Sequence, residues 1–409
     1  MKSKKPYLIF FLLLFLFVFS FQGKACFALP SFHQDIVSTN ESGRELFAKN
    51  QSPVLSQDGR YVVFQSDDQI YKKDTQTGAL QLVSVTSEGE LGNRASFNPQ
   101  VTPDARFVTF ESLSTNFENG ASSEQIYLKD TQTGKLTLIS KSAQGMPGNF
   151  YSNFSILSSD SNFAYFQGNS SNLIPSGDRL YRIYSKNLST GEVKMISSSS
   201  SGTPANAASL HVAVDPSYQF ILFESSSTNL TNMKTGYQLY RKNLSSGEVV
   251  LVSSNSKNAA ATGNSAQGRM TPGGRFVVFA SNATNLGVDA KGTQIYRKDL
   301  TTGELVLIST DASGVPGNGF SSFPHVSDDG SKVVFLSGSS NWKNSGAPGS
   351  SHLYEKNVIT GDLTLIKSKF FDSPDSLIIG TFDMNGAGNS LVYTVQTQSK
   401  SQIFKIANF

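Results

Sequence analysis

Cysteine is almost missing from this chain: Cys26 is the only one in 409 residues, so no intrachain disulfide holds the fold. Histidine is nearly as scarce, with His33, His211, His325 and His352, and tryptophan occurs once, as Trp342. The motifs that usually announce chemistry are absent as well. There is no Gly-x-Ser-x-Gly elbow for a nucleophilic serine, no His-Glu-x-x-His for zinc and no Gly-x-x-x-x-Gly-Lys loop for phosphate. Glu118 and Asp289 stand in polar loops without the closely spaced carboxylates that a calcium site needs. These absences leave no cofactor and no metal to expect, and no enzyme class that a motif would name.

A large charge excess is missing too, with 34 Lys and Arg against 31 Asp and Glu. Lys2, Lys4, Lys5 and Lys24 fall in the first 28 residues, which hold no acidic residue, so the remainder carries 30 basic against 31 acidic groups. Without a basic excess or a polybasic run, neither nucleic acid nor an anionic membrane surface is an expected partner. The first three of those lysines precede the apolar run Tyr7 to Phe21, 15 residues long, shorter than the roughly 20 that span a bilayer. Small residues follow around Ala25 and Ala28. Residues 1–28 therefore read as a secretory signal peptide, predicting an exported protein, periplasmic or secreted, with no membrane span in the mature chain. Lys24, two residues before Cys26, argues against lipid attachment at that cysteine.

What the chain has in abundance is repetition. QIYRKDLTTGELVLIS at Gln294 has counterparts starting at Gln69, Gln125, Arg182, Gln238 and His352, spaced by 56, 57, 56, 56 and 58 residues, and a truncated copy starts at Gln402. A fixed period of this size signals a propeller or a solenoid. Each copy carries alternating apolar residues around a Thr-Gly or Ser-Gly pair, which reads as a β-hairpin. A second hairpin precedes each, as in SPVLSQDGRYVVFQS and FPHVSDDGSKVVFLS. Each period thus encodes four antiparallel strands, A to D, and seven periods predict an all-β, seven-bladed β-propeller. The blades are predicted to start near 53, 99, 154, 210, 268, 323 and 381, within a single domain spanning 29–409. The last copy lacks strand D, and DIVSTNESG at Asp35 resembles it, so a strand near 33–38 is predicted to complete the seventh blade and close the ring.

The turn and strand texts PDARFVTF and PGGRFVVF, followed by QIYLKDTQTG and QIYRKDLTTG, resemble the TolB-type propellers, relatives of WD-repeat proteins, over roughly residues 33 to 409. The resemblance implies a propeller. TolB has six blades and an N-terminal α/β domain, whereas this chain predicts seven blades and a lone strand, so roles in the Tol envelope system do not carry over.

A repeat also supplies its own control: a residue present in every unit is read as structural, and one that departs from the unit is a functional candidate. The recurring Asn93, Asn149, Asn206, Asn264 and Asn318 are read as turn residues on this basis. One strand A position instead reads Val54, Gln100, Ile156, Ala213, Arg269, His325 and Asp383. Strand A lines a propeller's channel, so Arg269, His325 and Asp383, with Gln100 and with His211 two positions nearer the rim, are the ligand-binding candidates. Such a funnel suits a carboxylate-bearing or sugar-like ligand; the competing reading is polar groups solvated in a wet channel. Trp342 is a candidate rim anchor, although Phe117 and Leu286 at the equivalent place point to packing. The leading expectation is an exported, monomeric, non-enzymatic propeller that binds a protein, peptide or glycan through its long-loop face or channel mouth. The alternative is a lyase or hydrolase acting on a saccharide or small carboxylate in the channel.

Overall fold

β-Branched and aromatic residues alternating around tight glycine turns give the strand signal of each period, and the chain realises it in all seven. The computed structural model describes residues 34–46, 48–117, 123–175, 177–231, 236–287, 292–342, 351–366, 379–396 and 400–409. The predicted leader, Cys26, His33, Glu118 and Asp289 lie outside them.

Seven four-stranded sheets form. Six run A to D in chain order, their first strands being Asn50–Leu55, Ser96–Val101, Ser152–Leu157, Ser209–Val214, Ser265–Met270 and Ser321–Val326. The seventh takes A, B and C from Ile379–Met384, Ser390–Gln396 and Ser401–Ala407, and D from Gln34–Ile36. Gln34 lies opposite Ile406, Asp35 opposite Lys405 and Ile36 opposite Phe404 in an antiparallel pair. First strands of neighbouring blades touch in order round the ring, and the seventh meets the first. The protein is a seven-bladed all-β propeller closed by an N-terminal strand. Its A strands begin one to three residues upstream of the starts predicted from sequence, because each is split by a bulge that the turn signals do not reveal. Among the described residues no helix is long and apolar enough to cross a membrane.

The core lies between blades. In each blade a strand B aromatic packs on a strand C aromatic, stacked as with Phe110 and Tyr127, Phe279 and Tyr296, and Tyr393 and Phe404, with centroids 5.9 to 6.1 Å apart, and tilted in the Phe166–Tyr184 pair of blade 3. Residues of the preceding blade close over the pair: Val63, Ile70 and Val83 of blade 1 share a cluster with Phe110 and Tyr127 of blade 2.

The lysine of the repeated text adds a polar staple at the same seam. Lys129 donates to the carbonyls of Val85 and Thr86 at 3.0 and 2.9 Å, and Lys356 to those of Thr310 and Asp311, both at 3.0 Å. Lys73 does the same to Thr39 and Asn40, both at 3.0 Å, so it treats the closing strand as the strand D of a preceding blade. Burial lowers the pKa of these ammonium groups, that of Lys186 to about 8. The aspartate that ends strand C pairs with the arginine of the A–B turn, as in Arg60 with Asp74 at 2.6 Å and Arg275 with Asp299 at 2.8 Å. The repeated sequence is therefore scaffold, and its turns share a face with the A–B turns. The B–C and D–A loops occupy the other face, stapled in blades 2 to 6 by contacts such as Asn93 Nδ2 to Thr115 Oγ1 at 2.9 Å and Asn116 Oδ1 to the Asn93 N–H at 3.0 Å. In blade 5 the residue at this place is Thr262, which donates its N–H to Asn285; Asn264 instead bonds Asn282 and Tyr237, so it does not belong with the other four asparagines.

Candidate ligand-binding channel

The bulge decides which side chains reach the channel. Pairing with strand B shifts register after the second residue of strand A in six blades, for example between Leu210 and Ala213, and between Ile379 and Phe382 in the seventh. In six blades the third residue has a positive φ of 49° to 59°: Ser52, Asn98, Phe154, His211, Gln267 and Phe323. None is glycine, so each sits in a backbone region that L residues rarely adopt. Five of the six bulge N–H groups are held by a side chain of an adjoining blade. Phe154 donates to Glu111 Oε1 at 2.8 Å, His211 to Gln167 Oε1 at 2.6 Å, and Gln267 to Glu224 Oε1 at 2.8 Å. Phe323 donates to Gln267 Oε1 at 2.7 Å, and Ser52 to Thr381 Oγ1 at 3.0 Å.

The fifth residue of strand A forms a second tier. Asp383 accepts the Leu55 N–H on Oδ2 at 2.9 Å, bridging blades 7 and 1, and its Oδ1 lies 3.4 Å from His325 Nε2. The His325 ring rests on Phe382, centroids 4.6 Å apart, and its Nδ1 is 3.4 Å from the Phe323 carbonyl. Arg269 is open to solvent yet walled in by protein at longer range, as befits a group inside a wet channel. Those walls lower its pKa, and the charges of Asp383 and Glu224 oppose the shift. Its one hydrogen bond among the described residues runs from Nη1 to the Gly268 carbonyl at 3.2 Å.

His211 occupies a bulge. Its Nδ1 lies 3.0 Å from Glu224 Oε2, and its ring meets the edge of Phe154 at 5.1 Å. The Glu224 hydrogen bond raises the imidazole pKa, and partial burial opposes the rise. Arg269 thus senses carboxylates of blades 4 and 7, while His325 and Asp383 form a pair of their own. Gln100 lies in the same tier on blade 2, and among the described residues no hydrogen bond or ion pair ties it to the others.

Trp342 is a correction to the rim reading. It is 3 % exposed, its indole N–H donates to the Val315 carbonyl at 3.1 Å, and its ring packs on Phe335 and Tyr354. A side chain so enclosed fills a seam between blades 5 and 6 and offers nothing to a partner.

Sequence reasoning missed Glu224 and Glu111, which sit at one strand B position reading Gln65, Glu111, Gln167, Glu224, Ala280, Leu336 and Thr394. The control applied to strand A would have found them on strand B. Glu111 is 1 % exposed; besides Phe154 it accepts the Asn98 amide at 2.9 Å, and it adjoins Glu124. Burial pushes its pKa up to about 8. The folded protein therefore keeps a proton that the unfolded chain gives up above its ordinary value of 4.5. Stability from this group is full below that value and is lost as pH rises through about 8. Glu111→Gln, which installs the residue already used at Gln65 and Gln167, is expected to flatten the fall in melting midpoint between about pH 5 and about pH 8.5; an undiminished slope would assign the titration to another group.

Two wide-open grooves of about 480 and 510 Å³ lie away from the channel, between the outer strands of blades 1 to 3. Among the described residues no group of three or more His, Cys, Asp and Glu is placed to hold a metal ion.

No family model matches the chain, and no curated protein matches it. Solved structures do. An oligogalacturonate lyase from Vibrio parahaemolyticus superposes with a TM-score of 0.56 at 14% identity, covering 92% of this chain and 90% of that one. The β-propeller domain of the Trilobed protease from Pyrococcus furiosus does so with 0.56 at 14% identity, covering 88% and 96%. TolB from Acinetobacter baumannii gives 0.44 at 15% identity over 87% and 78%. What the first two have in common with this chain is the propeller fold.

Proposed function

We propose that the protein is an exported propeller that binds a carboxylate-bearing ligand at its channel mouth, with Arg269 as the recognising cation. One observation carries this reading. The carboxylates near Arg269 are already engaged, Asp383 by the Leu55 N–H and His325, Glu224 by the Gln267 N–H and His211. The guanidinium spends a single donor on Gly268, which leaves most of a planar fork suited to a carboxylate open to the channel. Galacturonate, the unit named in the lyases of the same fold, is a fitting probe. Titration calorimetry is expected to show galacturonate bound more tightly than galactose, and Arg269→Met to weaken it by about tenfold or more. Equal binding by the variant, or by galactose, would discard the reading.

A specific observation favours a second reading, an enzyme acting on the same ligand. His211, oriented by Glu224 at 3.0 Å, has the arrangement of a general base. Taking the proton from the carbon α to an arginine-held carboxylate, with the glycosidic C–O bond at the β carbon breaking and the departing oxygen leaving as a hydroxyl once protonated, is lyase chemistry. Turnover of an oligogalacturonate that vanishes in His211→Ala while galacturonate binding survives would establish it.

A further inference from the structure

Two blades carry large aromatic residues where the ring has no structural use for them. Tyr151 and Phe154 stand in blade 3, Phe320 and Phe323 at the equivalent positions of blade 6, and they are 47%, 42%, 72% and 47% exposed. The position of Phe154 and Phe323 is filled elsewhere by Ser52, Asn98, His211, Gln267 and Thr381, so closing a blade there requires no aromatic side chain. The backbone adds to the case. Phe154 and Phe323 have φ of 51° and 52°, an unfavourable setting for a bulky residue, imposed by the hydrogen bonds to Glu111 and Gln267. Burial repays only part of that strain, because Phe154 and Phe323 keep 42% and 47% of their surface in solvent.

The two pairs lie three blades apart in a ring of seven, so they face each other across the channel mouth, with Arg269 of blade 5 on the arc between them. Rings this exposed cannot line a pit for an apolar side chain. They are open platforms, and an open aromatic face suits the flat, C–H-rich side of a pyranose.

We propose that the ligand is a linear saccharide bearing carboxylates, seated on both aromatic pairs and crossing the channel mouth, where Arg269 takes a carboxylate. This rests on the channel reading above and adds length and chemistry to it. The test compares galacturonate with an oligogalacturonate of about six units in titration calorimetry, taking about tenfold in affinity for each aromatic seat. The oligomer is expected to bind about a hundredfold more tightly than the monomer. The double variants Tyr151→Ala/Phe154→Ala and Phe320→Ala/Phe323→Ala should each lose about tenfold on the oligomer and leave the monomer unchanged. Should alanine at 154 disturb the bulge, Phe154→Gln keeps a residue that the same bulge holds in blade 5.

Equal affinities for monomer and oligomer, both lost in Arg269→Met, would overturn the aromatic seats and leave the channel reading standing. Oligomer binding that survives Arg269→Met but falls in the aromatic variants would overturn the carboxylate and keep the seats. Polyglutamate of similar length binding as tightly as the oligogalacturonate would make the ligand an acidic peptide and overturn the proposal.

Discussion

A chain lacking residues 34–38 is expected to melt on the order of 10 °C below the full chain. Val37 is 3 % exposed, in a cluster that joins Leu55, Val62 and Phe64 of blade 1 to Val392 and Ile403 of blade 7. Burying a valine contributes about 1.5 to 3 kcal/mol. The Val37 N–H donates to the Ile403 carbonyl at 2.8 Å, and Ser38 Oγ accepts the Ile403 N–H at 3.1 Å, each worth about 1 kcal/mol net. With the three ladder partners from Gln34 to Ile36, the loss comes to roughly 5 kcal/mol, concentrated at the seam between the last blade and the first. Val37→Asp attacks the same seam with a single charge and keeps the test available if the deletion does not fold. Melting midpoints matching the parent in both would show that the strand does not hold the ring shut.

Trp342→Ala is expected to cost about 3 to 5 kcal/mol, the range for emptying a large aromatic site, without changing ligand affinity. The indole touches Phe335 and Tyr354 in blade 6 and shares a cluster with Val278 and Ile295 of blade 5. It also fills the space that Gly317 leaves, where a Cβ would lie 2.6 Å from the ring. Leu173, Leu230 and Leu286 fill the corresponding seams, so Trp342→Leu should recover much of the loss. The pair of variants separates packing from recognition: chemical denaturation reads the first, and titration with galacturonate reads the second. Lost affinity in a Trp342→Leu protein of parental stability would restore the rim role.

The fold was legible because it is written repeatedly, with its period, its two glycine turns and its unfinished last copy all in plain text. Channel chemistry was legible only in part. Arg269, His325 and Asp383 stand out because their strand A position is otherwise apolar or amide. Glu224 and Glu111 did not, since they interrupt a strand B text, VVFQS or FVTFES, that reads as pure scaffold. The bulge left no signal either: serine, asparagine, phenylalanine, histidine and glutamine occupy a positive φ where glycine would have announced it, and neighbouring side chains impose the conformation from outside. Trp342 shows the converse error, in which rarity suggested a role that position within the unit did not support.

The lysine staples bear on the size of the proposed binding site. Each points backwards to the preceding unit, and six of the seven seams are built this way, with Ile406 in the place of the lysine at the seventh. A period can therefore be duplicated or lost between two blades without inventing a new interface. The channel, however, is bounded by one first strand from every blade, so its girth is a count of copies. Gain or loss of a single repeat would keep the partners at each seam, change the angle at which neighbouring blades meet, and alter the span between the aromatic pairs, which makes copy number the caliper of the proposed site.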